Sequence, residues 1–245
     1  MPKDNIIQLV GVDGCGKDTV LERLIELFTE KIGRPAFKLR EFELEHKRFP
    51  TQEELADIGV LVVAEPTYSP PTGTAIRQGM LPTDKPPISA EEEGRLYSED
   101  RGRLYQDLVL PFLAQPGRWV IQNRGVICSL VFQSLRWPNG DTQEAMERLT
   151  KMSGNRLELE HPPQHMLILD LDPTIGFKRM QDRTDLDRLE RDLALQERVR
   201  ARYLDPELQN LFLSQGTDIH IIDAGGAKAD VSATMTDLFP KFNVC

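Results

Sequence analysis

Residues 6–19 read IIQLVGVDGCGKDT, a stretch that combines an apolar run, a glycine-rich turn and a lysine. Gly11, Gly16 and Lys17 match the GxxxxGK phosphate-binding motif, an apolar run typical of a strand precedes them, and a helical pattern follows. Glycines let the backbone turn its amide groups towards an anion, and a helix that begins near Lys17 directs the positive end of its dipole at the same point. The stretch therefore predicts a nucleoside triphosphate site.

One position departs from this motif. The residue after the lysine is usually Ser or Thr, whose hydroxyl binds Mg²⁺, whereas Asp18 follows Lys17 here and Thr19 comes next. The motif alone leaves the metal ligand open.

Composition limits the classes of function. The chain has 245 residues, of which 40% are apolar, enough for one large α/β domain. Its net charge of −9 argues against binding long nucleic acid, which depends on a basic surface. Cysteines without paired spacing, the lack of a secretory leader and the lack of an apolar run of about 18 residues predict a cytoplasmic protein without a membrane span.

Further apolar runs predict the buried strands of a parallel sheet, at 59–64, 118–122, 166–169 and 219–222. Ligands of such sheets bind beyond the carboxyl ends of the strands. Glu65 and Arg124 follow two of these ends, so we expect both near the phosphate-binding loop. For Glu65 the alternative is the start of a surface loop.

The helical pattern over 95–113 carries an arginine on an apolar face. At 100° per residue the shared face consists of Tyr97, Arg101, Leu104, Leu108 and Phe112. A buried arginine without a partner is costly, so Arg101 either pairs with an acid in the core or faces a cavity where a polar ligand completes it. In the helix after Arg124, the polar residues Ser129 and Gln133 either bond locally or face that same cavity.

Two segments have less regular patterns. Residues 41–58 predict a surface insertion, with a Thr51–Glu54 capping signature before a short helix. Between 138 and 163 we expect a turn, an amphipathic helix over 142–152 and an acidic loop. The four histidines lie scattered without a metal-ligand spacing, so histidine catalysis is not expected.

Residues 178–192 read KRMQDRTDLDRLERD and are dense in both charges. Such a run is by default a solvated helix with ion pairs between residues four apart. In a chain with a phosphate-binding loop, the alternative is an arginine-rich flap that screens a phosphoryl group during transfer.

The order of the motifs resembles the thymidylate kinase family. The motifs are GVDGCGK, EP after a strand, YSEDR on a helix, NR followed by CSLVFQ, LDLDP, DRTDLDRLE and IIDAGG. The resemblance covers nearly the whole chain, with 41–58 and 138–163 matching poorly. It implies a three-layer α/β P-loop NTPase fold, a parallel sheet flanked by helices, formed by one domain over 1–245 with an arginine-rich LID at 181–192.

The resemblance also implies an enzyme that transfers the γ-phosphoryl group of ATP to dTMP, with Mg²⁺ as cofactor. The implied ATP-binding residues are Gly11, Gly14, Cys15, Gly16, Lys17, Asp18, Thr19, Ala224 and Gly225. The implied acceptor-binding residues are Asp13, Glu65, Pro66, Arg77, Tyr97, Arg101, Arg124, Ser129, Phe132 and Gln133. The implied catalytic residues are Lys17 and, because Gly14 stands where some members have an arginine, Arg183 and Arg188 from the flap.

Within the acceptor set, the resemblance assigns individual roles. Asp13 would meet the sugar 3′-hydroxyl, Tyr97 would stack on the base, and Arg101 would bond the edge of the base. Arg77 and Arg124 would hold the acceptor phosphate. Ser129 and Gln133 would line the base pocket, with Phe132 crowding the sugar 2′ position.

Three residues depart from the family pattern. Ala64 replaces an arginine before Glu65-Pro66, Asn123 replaces an aspartate before Arg124, and Asp18 replaces Ser or Thr. We hypothesise that the last two are one change, in which a carboxylate lost at 123 and gained at 18 keeps an acid close to Mg²⁺. Asp18 is therefore the candidate metal ligand.

Other functions stay open from the sequence. One is a deoxynucleoside kinase, with Glu65 as a base near the 5′-hydroxyl; others are a kinase for a modified pyrimidine deoxynucleotide and a nucleotide-binding regulator without turnover. The expected partners are small nucleotides rather than a membrane, and the family resemblance adds a homodimer.

Overall fold

The protein is described by a computed structural model that covers residues 4–182, 186 and 189–244. Six parallel strands form one sheet in the order β2-β3-β4-β1-β5-β6. The strands are β1 (Asp4–Gly11), β2 (Ala36–Lys38), β3 (Val60–Ala64), β4 (Trp119–Asn123), β5 (Pro163–Asp170) and β6 (Asp218–Asp223). The predicted parallel sheet is confirmed.

Helices flank this sheet. They are α1 (Lys17–Ile32), α2 (Leu39–His46), α3 (Thr72–Ala75), α4 (Ala90–Leu104), α5 (Leu110–Leu113), α6 (Val126–Phe132), α7 (Thr142–Lys151), α8 (Ser153–Glu160), α9 (Pro173–Met180), α10 (Leu193–Tyr203), α11 (Pro206–Leu213) and α12 (Lys228–Leu238). Short π-helical turns cover Ile76–Met80 and Tyr105–Val109, and 3₁₀ turns cover Ser134–Arg136, Pro138–Gly140 and Phe239–Phe242. Over the described ranges, no helix is both long and apolar enough to cross a bilayer.

Side chains along each strand alternate between the two faces of the sheet, so that helices pack on both faces and form three layers. In β3, Val60 and Val62 pack into one apolar cluster together with α1, while Leu61 and Val63 pack into a second cluster on the opposite face. Successive strand side chains point to opposite faces, so a continuous apolar run covers both sides of the sheet. The three-layer α/β architecture follows from these buried runs.

Strand β1 lies inside the sheet, with β2, β3 and β4 on one side of it and β5 and β6 on the other. This strand pairs with β4 on one side and β5 on the other, with Leu9 opposite both Asn123 and Leu167. The carboxyl ends of the strands therefore lie along one edge, and a crevice opens beside the end of β1.

Helices α4 and α5, with the π-helical turn between them, form one long helix. It begins at Ala90, five residues before the predicted start, because the Ser89 hydroxyl accepts a hydrogen bond from the Glu92 amide at 3.1 Å. The predicted apolar face is buried and includes Arg101.

The short helix predicted after the Thr51–Glu54 capping signature is wrong. The capping contacts form, but turns follow, in which the Ala56 amide donates to the Glu53 carbonyl and the Ile58 amide to the Leu55 carbonyl, both at 3.1 Å. The expected surface insertion also sends Glu43, from α2, and Leu55 into the interior.

The expected acidic loop before β5 is the helix α8. It packs so closely on α4 that a Cβ on Gly154 would lie 1.8 Å from the carbonyl oxygen of Ser98. Asn155 and Glu158 on the same helix are buried. Polar side chains face inward here, so the segment has no apolar period that would predict a helix.

Replacing Gly154 with alanine tests this close approach. We expect Gly154→Ala to lower the free energy of unfolding by about 1–3 kcal/mol, because the added methyl group forces α8 away from α4. Urea denaturation measures the change. The matched variant is Gly79→Ala, at an exposed position with open space around its Cβ, which should change stability by less than about 0.5 kcal/mol. Equal effects of the two variants would contradict the packing argument.

Candidate active site

A cavity of about 1350 Å³ opens at the carboxyl edge of the sheet, beside the end of β1. Its walls come from the loops after β1, β3 and β4, from α4 and α6, from the end of α9 and the segment after it, and from the turn that leads into α12. All ten residues predicted for the acceptor line it: Asp13, Glu65, Pro66, Arg77, Tyr97, Arg101, Arg124, Ser129, Phe132 and Gln133. The structure therefore brings together residues spread over 120 positions of the chain.

The phosphate-binding loop joins β1 to α1. Gly14 has a φ of 76°, and a Cβ there would lie 2.5 Å from the Gly176 carbonyl oxygen, so only glycine fits. The Lys17 ammonium donates to the carbonyl oxygens of Gly11 at 3.1 Å and Val12 at 3.0 Å, so it lies over the loop. The loop residues that line the cavity are Gly14, Gly16, Lys17, Asp18 and Thr19.

Two other predicted ATP residues lie beneath the loop. Cys15 is only 1% exposed and packs in the apolar core. A Cβ on Gly11 would meet the Cys15 sulfur at 2.9 Å. Neither residue lines the large cavity, so they shape the loop from below.

In the turn after β6, the residues that line the cavity come just after the two predicted ATP-binding residues, Ala224 and Gly225. Ala224 is fully buried and Gly225 does not line the cavity, whereas Gly226 to Lys228 do. Arg179 donates to the carbonyl oxygens of Ala224 at 3.0 Å and Gly226 at 3.1 Å. Because Arg179 also lines the cavity, this turn is held at its rim.

Asp13 and Arg124 form an ion pair between the phosphate-binding loop and the end of β4. Arg124 Nη2 lies 2.5 Å from Asp13 Oδ1, and Gln196 Nε2 donates to Asp13 Oδ2 at 2.9 Å. Burial raises the pKa of Asp13, but the charges of Arg124 and Lys17 outweigh it and hold that pKa below its usual value. The backbone of Arg124 has a φ of 72°, an unfavourable conformation for an arginine, and its amide donates to the Leu9 carbonyl at 2.9 Å.

Arg101 pairs with acids and lines the cavity, so both sequence alternatives hold at once. Its guanidinium forms an ion pair with Glu65, and Arg101 Nε lies 2.7 Å from Glu158 Oε2. It also donates to Asn155 Oδ1, and to Ser129 Oγ at 3.3 Å. All these side chains are buried.

Two carboxylates share this one guanidinium. Burial raises the pKa of Glu65 to about 8; Arg101 opposes the rise, and the nearby Glu158 carboxylate adds to it. Burial also raises the pKa of Glu158, against the opposing charge of Arg101. Each of the two carboxyl groups therefore takes up a proton more readily than a free glutamate does.

The loop after β3 forms one wall of the cavity. Asp100 on α4 anchors it by accepting from the Thr67 amide and hydroxyl, both at 2.7 Å. The Glu65–Pro66 peptide is cis, and Arg77 donates to the Pro66 carbonyl and, at 2.9 Å, to the Thr67 carbonyl. Arg77 also lies over the Tyr68 ring, 3.5 Å from its centroid.

The far end of the cavity combines aromatic and amide groups. Tyr97 on α4 and Phe132 on α6 both line it, next to Ser129 and Gln133. The Gln133 amide nitrogen lies 3.5 Å from Glu93 Oε2, while Gln133 Oε1 is buried without a hydrogen-bond partner among the described residues. A flat ring with a polar edge fits this chemistry.

The predicted flap is described in part. Arg183 and Arg188 lie outside the described residues, so their catalytic role stays a prediction. Leu186, Leu189 and Arg191 line the cavity, and Arg191 Nε donates to the Leu186 carbonyl at 3.1 Å.

Oxygen ligands suited to Mg²⁺ lie at the phosphate end. Asp18 is exposed in the first turn of α1, and Asn123 Oδ1 is buried without a partner in the part of the chain that the structure describes. Both residues line the cavity. In the described ranges no three acidic, histidine or cysteine side chains group to hold a metal by themselves. That arrangement fits Mg²⁺, which commonly binds through one or two protein oxygens and substrate phosphates.

Comparison with known proteins matches this geometry to a family. The family model described as thymidylate kinase matches residues 51–234. The chain belongs to the thymidylate kinase family. The thymidylate kinase of Shewanella loihica is 27% identical over 226 residues, covering 92% of this chain and 90% of that protein. That of Alteromonas mediterranea is 32% identical over 203 residues, covering 82% and 77%. That of Desulfosudis oleivorans is 29% identical over 242 residues, covering 94% and 93%.

Sequence reasoning missed several residues of this thymidylate kinase-family site. Glu158 lies in the segment taken for an acidic loop, and Gln196 comes from α10, far along the chain from its partner Asp13. Arg40 and Tyr68 also line the cavity, with Arg40 5.3 Å from the Tyr68 ring centroid. Arg40 lies just before the segment taken for an insertion, and the sequence carries no local signal for its position.

The raised pKa of Glu65 predicts how stability depends on pH. Folding raises that pKa from 4.5 to about 8, so the folded protein binds a proton on Glu65 more tightly than the unfolded chain does. The free energy of unfolding should therefore fall as pH rises through this window. In Glu158→Gln the like charge is removed, so the fall between pH 5 and 8 should be smaller.

Urea denaturation at several pH values measures this slope. The matched variant is Glu160→Gln, at a largely exposed position on the same helix, which should keep the wild-type slope. An unchanged slope in Glu158→Gln would show that the Glu158 charge does not raise the pKa of Glu65.

Proposed function

We propose that this chain transfers the γ-phosphoryl group of ATP to dTMP, giving dTDP and ADP. The observation that carries the proposal is one cavity that is lined both by the phosphate-binding loop and by all ten predicted acceptor residues, of which Asp13 belongs to that loop. Membership of the thymidylate kinase family supports the same substrates. The arrangement suits direct transfer between two bound nucleotides, since donor and acceptor share a single space.

A site of this kind acts mainly by neutralising the negative charge of the phosphates. In phosphoryl transfer the protein positions the two oxygens in line and stabilises charge on the transferred group. In the proposal Lys17 meets the donor phosphates, and its position over the loop supports this role. Arg77 and Arg124 would hold the acceptor phosphate, and Arg183 and Arg188 stay the predicted flap arginines.

Mg²⁺ is the cofactor of the proposal. Asp18 and Asn123 would hold it, and when bound it neutralises charge on the ATP phosphates. Both carboxylate oxygens of Asp13 are already bonded, one to Arg124 and one to Gln196. Asp13 is therefore proposed to lie beside the sugar 3′-hydroxyl rather than to bind the metal.

The deoxynucleoside kinase alternative requires Glu65 as a base. Its side-chain oxygens already accept hydrogen bonds from Arg101 and Gln122. A carboxylate held in this way is not free to meet a 5′-hydroxyl, which favours a monophosphate acceptor. The modified-pyrimidine and regulatory alternatives are separated by the assays below.

Cytoplasmic location and a homodimer stay predictions from the sequence and the family resemblance. Cys15 and Cys128 carry free thiols, which suits a reducing compartment.

A nucleotide panel tests the proposed reaction. With ATP and Mg²⁺, we expect ADP release with dTMP and none above background with thymidine, because the acceptor side holds arginines for a phosphate. Lys17→Ala should lower kcat by at least about 10²-fold through lost charge stabilisation. A coupled ADP assay measures both results. Turnover with thymidine but not with dTMP would show a nucleoside kinase instead, and nucleotide binding without any ADP would show a regulator.

The metal hypothesis makes a separate prediction. Asp18→Ser should raise the Mg²⁺ concentration needed for half-maximal activity by about 10-fold or more, because one oxygen ligand loses its charge. Asn123→Asp in the same chain should restore it. The matched variant Asp84→Ser removes an exposed acid elsewhere on the cavity wall and should leave the Mg²⁺ dependence unchanged. If Asp18→Ser needs no more Mg²⁺ than the intact protein, the relocated-carboxylate hypothesis fails.

A further inference from the structure

Glu93 is a buried acid that contacts Gln133, one of the residues proposed to bind the base. The proposed reaction gives Glu93 no role. It lies on α4 and is only 1% exposed. Its carboxylate forms an ion pair with Arg136, in which Nη1 lies 3.2 Å from Oε1 and Nη2 contacts Oε2. Arg136 Nε also donates to the Phe132 carbonyl at 3.3 Å, so the pair is tied to the end of α6.

The Gln133 side chain lies between this carboxylate and the cavity. Gln133 is 2% exposed, its amide nitrogen faces Glu93 Oε2 at 3.5 Å, and its residue lines the cavity. An ionised carboxylate only accepts hydrogen bonds, so the amide must present its NH₂ group to Glu93. The reverse orientation would bring two oxygens together.

This orientation decides which atom remains for a ligand. Gln133 Oε1 is buried and has no hydrogen-bond partner among the residues that the structure describes. A buried acceptor without a partner is unfavourable, so the site is incomplete until a ligand supplies an N–H group.

We propose that Glu93, held by Arg136, is a positioning residue that fixes the Gln133 amide, so that the site selects a nucleobase with a ring N–H. The inference rests on the proposed function, because it concerns the base of the same acceptor. Thymine and uracil carry a hydrogen on ring nitrogen N3 and satisfy Oε1. Cytosine has an acceptor nitrogen at that position, so it would place two acceptors together.

The substitution Glu93→Gln tests the mechanism of positioning. A glutamine at 93 offers both a donor and an acceptor, so Gln133 is free to turn and present either end to the ligand. The ratio of kcat/KM for dTMP over dCMP should then fall by about 10-fold or more, mainly through a lower KM for dCMP. This ratio does not depend on the fraction of folded enzyme, so a loss of stability does not imitate the effect.

The matched variant is Glu99→Gln, at a half-exposed position on the same helix that pairs with Arg95 outside the cavity. It should keep the wild-type ratio. In a Gln133→Ala background, Glu93→Gln should change the ratio no further, because Glu93 acts through Gln133. An equal loss for both nucleotides in Glu93→Gln, or a further change in the Gln133→Ala background, would overturn the proposal.

Calorimetric titration with dTMP and dCMP separates this inference from the proposed function. If the intact protein prefers dTMP over dCMP and Glu93→Gln reduces that preference, the inference is supported even when no ADP forms. In that case only the proposed function fails. Turnover of dTMP with an unchanged ratio in Glu93→Gln overturns the inference alone. If the intact protein binds neither nucleotide, both fail.

Discussion

The ion pair between Arg101 and two glutamates joins parts of the molecule that lie far apart in the sequence. Glu65 follows β3, Arg101 lies within α4, and Glu158 lies on α8. Removing one partner of such a buried pair typically costs about 3–5 kcal/mol, because a charge is left uncompensated away from water. The position of α8, and with it the close contact of Gly154 with α4, therefore depends on this pair.

The same network continues into the sheet. Gln122 on β4 donates to Glu65 at 3.0 Å, Gln8 on β1 donates to Glu158 at 2.7 Å, and the Tyr105 hydroxyl donates to Gln122 at 2.7 Å. Two neighbouring strands and one long helix thus share a set of buried hydrogen bonds. These buried hydrogen bonds tie the sheet to the helix that carries Arg101, while Gln8 Oε1 has no partner among the described residues.

The arginines that line the cavity differ in whether a carboxylate is paired with them. Arg101 and Arg124 are matched with carboxylates, whereas Arg77 binds backbone carbonyls and forms no salt bridge within the described part of the chain. Arg77 therefore keeps a charge that is not neutralised by a nearby acid. An anionic acceptor is expected to find its strongest electrostatic contact there, with Arg40 close to the same Tyr68 ring.

The sequence by itself determined the strands, the phosphate-binding loop and the odd position of Arg101, because these depend on local periodicity and turn chemistry. The apolar runs of β3 and β4 are buried on both faces, so they are visible without knowledge of their neighbours. Family motifs also named ten residues that line one cavity. Only the tertiary structure decided the partners of the buried charges. Glu158 and Glu93 look like surface acids in the sequence, since an acid is buried only where an arginine from another segment compensates it, and no local pattern records that meeting.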